Sequence, residues 1–344
     1  MNLKKEQQYS LKTSMAMANL FQTVIKVYPN CITKINSEND YYMGVKQAPL
    51  FSELFLNYLD QMGFHLHTID KASHKGRGID IELQNPITGR FMTGSSSGTA
   101  LNVFYGINDI GVGTDGGGSI LSPAAALNLI GIIHPNFGSK WTDFSKYSKA
   151  STDGIIFTPS IGFISRSLQL IKMVSFLFID ESIEDGETNL AVDSEIHSSE
   201  IFFRSENIKV KNIDFSYKYE ASREELIETL ELLLSNFDIV ISKEGPVDVN
   251  GTGDTLFGHF DERTRYIQIQ GKKGFVRVVN MCNAIGLIVP STELSTGYLI
   301  IAKLQKGIEK RMFDLAEVLI SKEDKMINNY FLDHSSYLSE GFNL

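Results

Sequence analysis

The sequence predicts a single α/β domain built on a mixed β-sheet. Segments of helical and of strand periodicity alternate along most of its 344 residues. Apolar residues make up 42% and charged residues 21%, the balance of a globular chain that buries a core. No repeat and no linker cuts the alternation into two parts.

The same composition argues against several classes. No apolar run reaches the length of a bilayer span. The start, "MNLKKEQQYSLKTSMAMANL", is basic but has no long apolar segment or small-residue cleavage site, so no signal peptide is expected. Cys31 and Cys282 sit among apolar residues and read as small buried thiols of a reducing cytoplasm. A net charge of −9 argues against a nucleic-acid partner. The expected setting is cytoplasmic, with no membrane partner; a homodimer is an open expectation.

In chain order, residues 7–28 carry apolar positions at Leu11, Met15, Leu20, Phe21, Val24 and Ile25, one helical face. "PLFSELFLNYLDQMG" is a second helix, with Pro49 at its first position and Gly63 as its stop. "FHLHTI" alternates as a strand, with His65 and His67 facing outward and no acids at metal-ligand spacing. "KASHKGRGIDIELQNPITGR" is polar and loop-like. "GSSSGTALNVFYGI" is a small-residue turn leading into an apolar helix. "PAAALNLIGIIHP" reads as helix then strand, and "SIGFISRSLQLIKMVSFLFID" as a helix from about Ser165.

Residues 181–218 are charged and irregular, with short strand-like pieces. "SREELIETLELLLSNFD" is a helix opened by a capping box, Ser222 with Glu225. "FDIVIS" is a buried strand. "GFVRVVNMCNAIGLIVPS" reads as helix, strand and turn. "GYLIIAKL" is a strand, and "GIEKRMFDLAEVLISKED" an amphipathic helix.

Between the third helix and the run "PAAALNLIGIIHP" lies "GVGTDGGGSILSP", residues 111–123, with five glycines. Gly111, Gly113 and Gly116 spell G-x-G-x-x-G. A dinucleotide fingerprint needs a strand before it and an acid about 20 residues on. "DIGVG" reads as too short and broken for that strand, and "GIIHPN" holds no acid. Upstream, "GSSSG" spells G-x-S-x-G around Ser96, as in a nucleophile elbow. The polar "NPITGRFMT" before it does not read as the buried strand an elbow requires. His134, His197, His259 and His334 stand in no telling context as its base. A third reading joins both turns. Their layout brings Ser96 beside Ser119, and the backbone N–H groups after Asp115 form a nest for an oxyanion. That reading lacks a histidine base.

The pair "GSSSGTA … GVGTDGGGSILSPAA" resembles the signature of the amidase signature family, G-G-S-S-G-G-S followed by G-T-D-x-G-G-S-I-R-x-P-A. "GVKQAP", with Lys46, resembles the family's V-K-D context. "APLFSELFLNYLDQMGFHLHTIDKAS" resembles the segment joining it to the first serine turn. "TPSIGFISRS" and "NAIGLIVPSTELSTGYLIIAKLQKGIEKRMFDLAEVLI" resemble stretches further on, so the likeness covers most of the chain. It implies a central mixed sheet covered by helices on both faces. Residues 30–180 would be the signature core, 181–235 a variable insertion, and 236–335 the C-terminal part of the same sheet.

It also implies a Ser–cis-Ser–Lys triad. Ser119 would be the nucleophile, Ser96 the relay behind a cis Ser95–Ser96 bond, and Lys46 the base. Gly116, Gly117 and Gly118 would hold the oxyanion, Asp115 would brace the loop, and no metal or organic cofactor is needed. One residue fewer than in the family between Gly98 and Gly106 leaves Ser95 and Ser97 as alternatives for the relay. Gln47 replaces the family's Asp and Leu121 its Arg, and the stretch after Lys46 is trimmed. The implied activity is hydrolysis of a carboxamide in a small or medium-sized substrate through an acyl-enzyme. The alternatives are a catalytically impaired binding protein and an amidotransferase A-type subunit.

Overall fold

The computed structural model describes residues 5–179, 186–196, 207–322 and 324–332. Helix α1 (Lys5–Ala18) is followed by β1 (Val24–Val27), β2 (Tyr41–Lys46), α2 (Glu53–Gln61) and β3 (Phe64–Asp70). The ribbon β4 (Ile79–Gln84) and β5 (Phe91–Thr93) precedes α3 (Ser97–Phe104), β6 (Ile110–Asp115), α4 (Leu121–Ala126) and β7 (Ile130–Ile133). A short hairpin, β8 (Lys149–Ala150) and β9 (Ile156–Phe157), leads to β10 (Ser160–Ser165), α5 (Leu168–Ser175), β11 (Thr188–Asp193) and β12 (Ile208–Ile213). The chain continues through α6 (Arg223–Asn236), β13 (Ile239–Glu244), α7 (Thr255–Gly258) and α8 (Glu262–Ile269). It ends with β14 (Ile285–Pro290), β15 (Gly297–Ala302), α9 (Ile308–Leu319) and α10 (Lys325–Phe331).

Eleven strands form one mixed sheet in the order β1-β3-β2-β6-β10-β7-β14-β15-β13-β11-β12. The pairs β2/β3, β2/β6, β11/β12 and β11/β13 are parallel, and the others antiparallel. Helices cover both faces, so each central strand feeds two cores. Along β15, Tyr298, Ile300 and Ala302 enter one, while Leu299 and Ile301 enter the other. That two-sided burial is why these strands read as continuous apolar runs. Among the described residues no helix is long and apolar enough to cross a membrane. Nor is any cluster of three or more His, Cys, Asp or Glu side chains placed to hold a metal.

Several sequence expectations are corrected. The first helix stops at Ala18 instead of running to residue 28. Asn19 and Gln22 take left-handed backbone conformations, Asn19 caps the turn onto Val24, and the apolar run beyond becomes β1. "DIGVG" belongs to a full central strand, β6. Its glycines lie where helices press on the sheet: a Cβ on Gly111 would meet Thr99 Cγ2 at 2.5 Å, and one on Gly113 would meet Ile120 Cδ1 at 2.6 Å. "SIGFIS" is a fully buried strand ahead of α5. The short strand-like pieces expected within residues 181–218 include β11 and β12, which join the main sheet.

His65 and His67 are buried, not outward-facing, because α2, α3 and residues 29–34 pack against β3. His65 bridges Asp60 and Asp40 at 2.9 and 3.2 Å. His67 bonds Asn108 at 2.7 Å and stacks on Tyr42, and burial pulls its pKa down to about 4. Cys31 is buried but Cys282 only half-buried; burial raises both thiols to about 12.

Candidate active site

Parallel pairing of β2 and β6 brings their C-terminal ends out at one edge, so Lys46 emerges beside Thr114 and Asp115. Ser95 lies on the turn between β5 and α3, and Ser119 on the loop between β6 and α4. Lys46 Nζ donates to Ser95 Oγ at 2.7 Å and to Thr114 Oγ1 at 2.9 Å. Ser95 Oγ in turn donates to Ser119 Oγ at 2.8 Å. The line Lys46–Ser95–Ser119 is therefore unbroken. Its inner two members are buried and Ser119 is half-open.

The hydroxyl facing both Lys46 and Ser119 belongs to Ser95, not Ser96. Ser96 Oγ is buried without a hydrogen-bond partner among the described residues and packs against Gly113. Ser97 donates to Asp80 Oδ2 at 2.6 Å, tying the start of α3 to β4. Side chains entering a helix diverge by about 100° per residue. Three consecutive serines thus face three directions, and one meets the lysine. The expected cis Ser95–Ser96 bond is also corrected: bonds across residues 94–98 are trans, and the cis bond among the described residues is Gly245–Pro246.

Burial brings the Lys46 amine down from 10.5 to about 7. Asp115 opposes this shift by attraction, while Lys149 adds to it by repulsion. Asp115 accepts from the N–H of Gly118 at 2.7 Å, of Ile120 at 2.6 Å and of Leu121 at 3.3 Å. Gly118 has φ +93, a conformation that favours glycine. Its N–H is engaged with Asp115, which corrects its expected place in the oxyanion nest. The N–H groups of Gly116, Gly117 and Ser119 have no internal acceptor among the described residues. Replacing Asp115 by Asn puts an NH₂ where an oxygen receives an N–H. We expect a loss of about 1–3 kcal/mol in urea unfolding, with weaker covalent reactivity at Ser119.

Leu121 points into the core, where its side chain is fully buried, so the family's Arg at this position has no counterpart at the site. Gln47 is exposed beside a shallow depression of about 280 Å³ bordered by Lys46, Pro49, Phe51 and Leu56. His134 is buried against Glu309, and His259 is exposed on a loop; His197 and His334 lie outside the described residues. Sequence reading missed the residues over the glycine loop. The Phe157 ring lies on Gly116, and Met281 and Arg223 approach Gly117. Arg223 carried no signal beyond its place at the start of a capped helix.

The family model described as Amidase matches residues 82–249, a span holding both serine turns. Residues 82–249 carry the likeness to that family. Among solved structures, this chain is similar to one titled crystal structure of amidase, at 14% identity and a TM-score of 0.62, over 92% of this chain and 96% of that one. It is similar to a glutamyl-tRNA(Gln) amidotransferase A-type subunit from Thermotoga maritima at 15% identity and a TM-score of 0.61, over 92% of each chain. A 6-aminohexanoate cyclic dimer hydrolase gives 12% identity and a TM-score of 0.64, over 92% of this chain and 93% of that one. At these identities the likeness is one of fold. A search of curated proteins gives no match.

Proposed function

We propose that this chain hydrolyses a carboxamide bond of a small or medium-sized substrate through an acyl-enzyme on Ser119. The observation that carries the reading is the continuous line from a buried, easily deprotonated amine through Ser95 to the half-open Ser119 hydroxyl. Neutral Lys46 accepts the proton of Ser95 as Ser95 accepts that of Ser119. Ser119 Oγ attacks the carbonyl carbon, and the N–H groups of Gly116, Gly117 and Ser119 receive the oxyanion. The proton returns along the same line to the leaving amine, the C–N bond breaks, and water releases the acyl group by the reverse relay.

A fluorophosphonate tests this directly. It is expected to modify one serine, within "GGGSILSPAAALN". A folded protein that takes no label favours the catalytically impaired alternative. Label on Ser96 favours the nucleophile elbow.

A further inference from the structure

We propose that Arg223 is the specificity residue of this site, receiving a carboxylate carried by the amide substrate, and that Asp153 occupies that position in the free protein. The inference rests on the acyl-enzyme reading above. Arg223, the first residue of α6, places Nη2 4.0 Å from where a Cβ of Gly117 would stand, two residues from Ser119. The side chains between them are apolar, and the Arg277 carbonyl oxygen lies 3.6 Å from the same Gly117 position. The Phe157 ring covers Gly116, and Met281 Cε lies 3.7 Å from the same Gly117 position. A short acyl chain thus has a hydrophobic bed leading from Ser119 to a guanidinium.

The Arg223 side chain is only 14% exposed, and its Nε has no partner among the described residues. Nη2 donates to Thr255 Oγ1 at 3.2 Å, and Nη1 meets Asp153 at 2.6 Å. Arg277, nearby, is already committed to the carbonyls of Lys218 and Ala221. Asp153 comes from the turn of the β8–β9 hairpin and is 34% exposed. Its carboxylate is the kind of group the guanidinium recognises, held by a solvent-facing turn that loses little on release. A substrate carboxylate displaces it, and the carboxylate goes back to water.

The test uses glutarate, an acid product of the proposed class, and calorimetric binding to the full chain. Glutarate should bind wild type, weaken by about tenfold or more in Arg223→Gln, and tighten by roughly two- to fivefold in Asp153→Asn, where the internal competitor is gone. No binding to wild type, equal affinity in Arg223→Gln, or weaker binding in Asp153→Asn overturns the assignment. Fluorophosphonate labelling of wild type reads the catalytic proposal separately. Labelled Ser119 without glutarate binding sinks the subsite alone. Glutarate binding that follows Arg223, without any label, sinks the serine mechanism alone.

Discussion

Lys46→Met should slow both amide hydrolysis and the labelling of Ser119 by roughly 10²–10⁴-fold, the usual contribution of a positioned general base. The wild-type rate should climb with pH through about 7, where the buried amine loses its proton, and level off above. The residual rate of the variant should show no such step. Lys46→Arg should do no better, because guanidinium stays protonated. The same amine has a stability signature that also rises with pH, over a higher range. Its pKa is lower folded than unfolded, so between about 7 and 10.5 the unfolded chain binds more protons and stability rises with pH. Below about 7 the full cost of burying the charge applies, on the order of 4–5 kcal/mol. Lys46→Met should therefore gain stability over wild type most at pH 6, with the gain shrinking toward pH 10. Urea unfolding at several pH values reads this. Labelling that is equal in both proteins from pH 6 to 9 would remove Lys46 as the base.

Ser95→Ala should cost labelling and hydrolysis about 10²–10³-fold, because it cuts the line between Lys46 and Ser119 while leaving both in place. Ser96→Ala should change activity little. It removes a hydroxyl with no hydrogen-bond partner among the described residues, a group costly to bury, so stability should hold or rise. Comparing the two variants by labelling rate and thermal unfolding decides which serine relays the proton. A large loss in Ser96→Ala with little change in Ser95→Ala would reverse the assignment drawn from the geometry.

Much of the fold was legible because its signals are local. The Gly63 stop of α2, the capping box at Ser222 and the apolar runs of β13 and β15 each state their element within a few residues, whereas Pro49, expected at the first position of α2, lies ahead of its Ser52 cap. The readings that failed depended on context. "DIGVG" reads as broken because glycine weakens a strand in isolation, yet the sheet needs glycine where α3 and α4 press on it. Residues 188–193 and 208–213 read as fragments because their partners lie far away in sequence.

The sequence by itself determined the serine- and glycine-rich turns, their spacing, the upstream lysine and, through them, the resemblance to the family. Residue type and spacing along the chain suffice for those. Only the tertiary structure decided which of three serines meets Lys46, that the N–H of Gly118 goes to Asp115, and that Arg223 stands over Gly117. Each of these depends on the direction of a bond in space. A turn entering a helix sends neighbouring side chains apart by about 100° each, and distant strands and helices set which one finds a partner.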